Sequence, residues 1–182
     1  MTELRWEWRT FGGQFADVEE RLGEPERVVD TDETYLISGA SVDAVKVRNS
    51  LMDVKRLEQV DDDGLELWKP VMKSPMPISA ADTRMVLVSL RLSVPIDRDT
   101  YALADLVGMD TSLRAIPVRK TRRHFEIEGC MAELTDLGAE SRATRSIAIE
   151  SESAVRVIAT VRELGLDARP NVSVPERLKT LI

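Results

Sequence analysis

Residues 4–11 read Leu-Arg-Trp-Glu-Trp-Arg-Thr-Phe, and the strict alternation in that run governs how the rest of the chain is read. Leu4, Trp6 and Trp8 fall on one side of an extended backbone, and Arg5, Glu7 and Arg9 fall on the other. A period of two is the signature of a β-strand with two unlike faces. Tryptophans want a packed environment. If the Trp face packs outward beneath flanking helices, the Arg-Glu-Arg face turns into whatever the sheet encloses. Charges there are costly unless something fills the space between them.

Working outward, Gly12-Gly13 ends this strand, and residues 15–22 form a short amphipathic helix stopped by Gly23 and Pro25. Residues 27–30 and 34–38 read as two arms of a hairpin, with Asp30-Thr31-Asp32 as its turn. Strands follow at 44–47, 51–60 and 65–71, separated by Asn49-Ser50 and by Asp61-Asp62-Asp63-Gly64, a strong turn signal. Then the texture changes. Residues 79–90 carry a Ser cap and helical spacing of apolar residues, and 100–107 read as a second short helix. This segment, about 79–111, reads as a helical insertion between two β-rich halves. Strands return at 113–119, 122–127, 130–137 and 143–151. An amphipathic helix at 153–164 stops at Gly165, and Pro175 starts a last helical turn ending at Ile182. Residues 1–182 thus read as a single, mainly β (α+β) domain. Closing its antiparallel strands into a barrel leaves no free sheet edge.

Bulk properties exclude several functions. The net charge is -7 and the pI near 4.9, the wrong sign for general nucleic-acid binding. No apolar run approaches the roughly 20 residues of a membrane span. The first ten residues carry no apolar export signal, so a cytoplasmic location is expected. One cysteine, Cys130, allows neither an internal disulfide nor a cysteine-rich zinc site, and it reads as a small buried apolar residue. One histidine, His124, argues against a histidine metal site or a Ser-His-Asp triad. The Asp61–Asp63 run reads as a solvated hairpin tip. Met72 and Met76 read as packing under the insertion.

The informative charges are those on strands. Lys46 and Arg48 share a face, as do Asp53 and Lys55, and again Lys120 and Arg122. Glu133, Asp136, Glu150 and Glu152 add acids to the last strands. An ordinary strand has one wet face, but here Lys/Arg pairs two apart recur in both halves of the chain. If these faces meet inside a barrel, a polyphosphate with a divalent cation would satisfy them. Bases bind phosphoryl oxygens and carboxylates bind the metal.

The run KVRNSLMDVKRLEQ (46–59) resembles the "vRiR…lTiK" strand pair of the CYTH, or triphosphate tunnel, superfamily. Glu33-Thr34-Tyr35 sits where that family has its tyrosine-bearing strand. VRKTRRHFEIEGCMAELTDLG (118–138) is similar to its "KxR…D" strands, and RSIAIESES (145–153) to its "EiE" strand. LGLDARPNVSVPERLKTL (164–181) is similar to its closing tail. The resemblance implies an eight-stranded antiparallel tunnel. It implies activity on triphosphate groups with Mg²⁺ or Mn²⁺, as in inorganic, thiamine and RNA triphosphatases and class IV adenylyl cyclases. Carried over, it makes Arg9, Lys46, Arg48, Lys55, Lys120 and Arg122 the phosphate clamps, with Glu7 and Glu150 catalytic. Glu7, Glu66, Asp136 and Glu150 would lie nearest the metal.

The sequence departs from the family pattern in places. The family's opening ExExK reads Arg5-x-Glu7-x-Arg9, its "EiE" reads Ala148-Ile149-Glu150, and its tail tyrosine is Val174. Two readings follow: metal-dependent hydrolysis of a triphosphate or polyphosphate, or a tunnel that captures polyphosphate or a nucleotide without turnover. The partner expected in either is a phosphate chain, not a membrane, and a homodimer is compatible with both. Cyclase chemistry would need a base-recognition pocket that the sequence does not display.

Overall fold

A computed structural model describes residues 4–181. The expected helix end at Ile182 lies outside the described residues. The first half runs β1 (Arg5–Gly12), α1 (Ala16–Leu22), β2 (Arg27–Ile37), β3 (Ala44–Arg48), β4 (Leu51–Val60) and β5 (Glu66–Pro75). The middle holds β6 (Ile78–Ser79), α2 (Ala80–Leu90), β7 (Thr100–Tyr101) and α3 (Leu103–Gly108). The second half runs β8 (Arg114–Ile127), β9 (Cys130–Ala139), β10 (Arg142–Ser151), α4 (Ala154–Glu163) and α5 (Val174–Leu181).

Among the described residues, eight strands close into one antiparallel barrel in the order β1-β10-β9-β8-β2-β3-β4-β5. The barrel follows from the alternation described above. On β1, Trp8 packs outward with Leu134, Ile147 and Ile149 under Val157 and Val161 of α4 and Val18 of α1. On the opposite wall, Val45, Met52, Val54 and Met72 pack outward under Val86 and Leu90 of α2 and Leu106 of α3. Covering both outer walls with helices frees the inward faces to be polar, the reverse of the usual arrangement for a small barrel.

One end of the interior is not polar. Inward-facing Tyr35, Ile37, Ile116, Val118, Leu137 and Ala139 pack against Val174, Leu178 and Leu181 of α5, joined by Phe11. Helix α5 therefore fills that end. The segment leading into it also closes the barrel seam. Strand β1 pairs with β5 only over Arg5–Glu7. Beyond that, Asn171 Oδ1 accepts from the Arg9 amide (2.6 Å), and Val172 N donates to the Arg9 carbonyl (2.7 Å). Asn171 Nδ2 donates to the Gly64 carbonyl (2.8 Å) and the Glu7 carbonyl (3.4 Å). Backbone groups that would be orphaned at the seam are thus satisfied.

Three sequence expectations are corrected. The hairpin expected at 27–38 is one continuous strand, β2, because Asp30 and Asp32 are wet outer residues of an uninterrupted ladder with β8. Likewise 113–119 and 122–127 are one strand, β8, continuing through Lys120 and Thr121. In the insertion, Thr100–Tyr101 is a short strand paired with Ile78–Ser79, and the helix starts only at Leu103. The Ser79 cap on α2 is present, its hydroxyl accepting from Asp82 N. Asp61 organises its turn by accepting from the amides of Asp63 and Leu65. Cys130 is buried in the outer core. Among the described residues no helix is long and apolar enough to cross a membrane.

Candidate functional site

The register of β2, β3 and β8 builds one wall of the cavity. Glu33 faces Arg48 and Tyr35 faces Lys46 across the β2–β3 pair. Lys120 and Arg122 project from β8 on the same interior face. All four bases converge on Glu33, whose side chain is 0% exposed. Lys120 Nζ lies 3.0 Å from its carboxylate, Lys46 Nζ 3.4 Å and Arg48 Nη1 3.6 Å. Arg122 Nη2 donates to it directly. Lys120 also donates to Tyr35 Oη (2.7 Å), and both lysines lie over the Tyr35 ring.

Four cations around one anion leave this wall strongly positive. Burial alone would raise the Glu33 pKa, but Lys120, Lys46 and Arg122 hold it well below the usual carboxylate range. Burial pushes Lys120 down to about 7, with repulsion from Lys46 adding to it against the pull of Glu33. Lys46 is lowered chiefly by burial, and Tyr35 is raised well above its ordinary value, also chiefly by burial. Arg122 Nε is buried without a hydrogen-bond partner, a donor left over for an acceptor in the cavity.

The facing wall is acidic. Glu7 on β1 lies in register with Glu150 on β10 and Glu66 on β5. Arg9 runs beneath them, donating to Glu7 (2.8 Å) and Ser146 Oγ (3.0 Å), with Glu133 at 3.4 Å. Glu133 also accepts from Thr135 Oγ1 (2.8 Å). Burial would raise Glu7 and Glu133, but neighbouring cations, Arg9 foremost, overturn this. Glu7 is lowered and Glu133 is held at about 2. On Glu150 and Glu66 the opposing pull is smaller, from Lys55 and Arg9 on the first and from the Trp68 hydrogen bond and Arg9 on the second. Burial, and after it the charge of Glu7, pushes both up to about 7.

Between the walls lies a cavity of about 280 Å³. Arg9, Lys46, Arg48, Lys55, Lys120 and Arg122 line it, as do Glu7, Glu133 and Glu150, and its floor includes Ser173, Val174 and Pro175 beside α5. The structure thus brings together the six bases, Glu7 and Glu150 picked out from sequence. Glu66 shares their face but is turned to Trp68, whose Nε1 donates to it (3.1 Å).

Asp136 is not brought to the site. It faces outward, paired with Arg123 (2.8 Å) and Arg145 (2.7 Å). The interior acid of β9 is Glu133. Three residues apart on a strand means opposite faces, and Asp136 shares the parity of buried Ala132 and Leu134, which pack outward. Glu33 was the other residue missed in its role. Its position two residues before Tyr35 on one strand was the available signal.

Among the described residues no three His, Cys, Asp or Glu side chains are grouped as a self-sufficient metal site. Magnesium, however, is commonly held by one or two carboxylates together with substrate phosphates and water. Glu7 and Glu150, adjacent and in register, fit that smaller donor set. Glu150, raised to about 7 by burial and then by the charge of Glu7, is a carboxyl that a cation would return to its ionised form.

No protein-family model and no curated protein sequence matches the chain. Solved structures do. A candidate adenylate cyclase from Bacillus halodurans is similar over 98% of this chain and 97% of its own, at 15% identity and a TM-score of 0.59. A conserved hypothetical protein from Pyrococcus furiosus is similar over 89% of this chain and 91% of its own, at 14% identity and a TM-score of 0.51. A candidate adenylyl cyclase from Hippeastrum with a dominant triphosphatase activity is similar over 91% of this chain and 89% of its own, at 13% identity and a TM-score of 0.50. At such identities the likeness is one of fold: a CYTH-like tunnel.

Proposed function

Taking the CYTH-like tunnel as its frame, we propose that this protein binds a triphosphate or longer phosphate chain in the barrel and hydrolyses a phosphoanhydride bond. The observation that carries the reading is the meeting of four cations on the single carboxylate of Glu33. That excess of buried positive charge calls for a multivalent anion. Arg9, Lys46, Arg48, Lys55, Lys120 and Arg122 hold the phosphoryl oxygens. Guanidinium and ammonium donors bind phosphate more strongly than neutral ones do. Glu150 orients a water and takes its proton as the water oxygen bonds to the terminal phosphorus. The bridging P–O bond then breaks, releasing orthophosphate and the shortened chain. Mg²⁺ or Mn²⁺ held by Glu7 and Glu150 would, when bound, neutralise charge on the phosphoryl oxygens. Positioning and electrostatics supply most of phosphoryl-transfer catalysis.

The second reading is capture without turnover. It is favoured by the engagement of Glu7 with Arg9 and by the turn of Glu66 toward Trp68. One experiment separates them. The protein is incubated with inorganic triphosphate and Mg²⁺ or Mn²⁺ while phosphate release and thermal stability are followed. Release above that of Glu150→Ala supports hydrolysis. Stabilisation without release, lost in Lys55→Ala and Arg122→Ala, supports capture. If neither effect is seen, the phosphate-binding reading is refuted.

A further inference from the structure

The cavity does not end at the ring of bases. Toward the end opposite α5 it continues into a chamber of about 350 Å³, between the start of β2, the β3–β4 turn, the end of β5 and the end of β8. Arg27, Arg48, Asp53, Arg122 and His124 line both spaces, so the two are continuous. Lys73 belongs to the chamber alone. Its one acid, Asp53, lies 3.9 Å from Arg48 and faces Lys73 across the β4–β5 ladder. Among the described residues neither Arg27 nor Lys73 is held in an ion pair.

The chemistry of this lining selects among ligands. An organic triphosphate would leave its organic group in the chamber. A nucleobase there would want a broad ring to stack on, and no Phe, Tyr or Trp lines the chamber; its one ring is His124, set among Arg27 and Arg122. A cationic organic group would meet Arg27, Arg48 and Lys73. Further phosphates would meet them favourably.

We propose that the chamber holds the distal phosphates of a linear inorganic polyphosphate longer than triphosphate, the tunnel holding its leading end. This rests on the reading that the tunnel binds phosphate chains. It adds that the substrate class is the inorganic chain, with Arg27 and Lys73 as the residues that sense its length.

The test is calorimetric titration, without metal, of the intact protein and of Arg27→Ala/Lys73→Ala with inorganic triphosphate, a longer linear polyphosphate and ATP. Both substituted side chains are exposed, so the fold should tolerate their loss. The expected result is that the longer chain binds at least about tenfold more tightly than triphosphate or ATP, a difference of some 1.4 kcal/mol. The double variant should lose that preference. If triphosphate binds but the longer chain gains nothing, or its gain survives the double substitution, or ATP binds as tightly as the longer chain, this inference is overturned and the tunnel reading stands. If no phosphate chain binds, the tunnel reading fails and takes this one with it.

Discussion

Removing the carboxylate of Glu33 would leave Lys46, Arg48, Lys120 and Arg122 facing one another, with only the more distant Asp53 beside Arg48 and Glu133 beside Arg122 as counter-charges. Breaking a buried ion cluster by deleting one partner commonly costs about 3–5 kcal/mol. Glu33→Gln is therefore expected to lower the unfolding free energy by that order, read as a lower midpoint in urea. Removing a cation instead has the opposite sign. Lys120→Met leaves Glu33 three partners and relieves repulsion, so the ligand-free protein should unfold at higher urea. A lower midpoint would contradict the charge excess. The pH dependence follows from the same lysine. Its pKa falls from 10.5 to about 7 in the folded protein, so between those values the buried amine is mostly neutral. A bound polyanion favours the charged amine and raises that pKa. Binding should then take up a proton inside this window, and Lys120 should contribute none below it, where the amine is already charged. Titrations at about pH 8 in buffers of different ionisation enthalpy would measure the uptake, and Lys120→Met should lose it. At this scale the bases were legible from sequence, because Lys46/Arg48 and Lys120/Arg122 share faces at a spacing of two. The acids were less so. The family motif points to Asp136, whereas parity with the outward-packing Ala132 and Leu134 places Glu133 in the interior.

At the scale of elements, the strands that were misdivided are the ones that carry the cation wall. Strands β2 and β8 pair over eleven residues, Arg27–Ile37 against Arg114–His124. Their outer faces hold Asp30, Asp32 and Thr121, residue types that also make turns. With the core lying to either side and a helix covering the neighbouring wall, nothing forces those polar residues to break the ladder. Turn chemistry is permissive, and tertiary pairing overrode it. The seam shows a complementary case, in which a residue without secondary structure does the work of a strand. Asn171 satisfies the backbone at Arg9, Glu7 and Gly64. Asn171→Ala is expected to destabilise the protein by about 1–3 kcal/mol, the cost of leaving such groups unpaired, as measured by urea unfolding. Its role could not be seen in sequence, because the contact is with strands far away in the chain.

At the scale of the molecule, a chain of net charge -7 turns seven of its bases inward and sets carboxylates among them. Closure of the sheet was legible, since two β-rich halves with unlike strand faces have few other ways to avoid an open edge. Invisible from sequence was the division of the interior into a positive wall, an acidic wall and an oily end. That division depends on which strands become neighbours, and β8 beside β2 joins residues about ninety positions apart. Helix α5 gives the interior a direction. With that end stoppered, whatever goes in must back out the way it came. Under the hydrolytic reading proposed above, a molecule with a free tip would go in headfirst and be trimmed from that tip, one unit per visit. A ring of phosphates, having no tip to offer, would be left at the door.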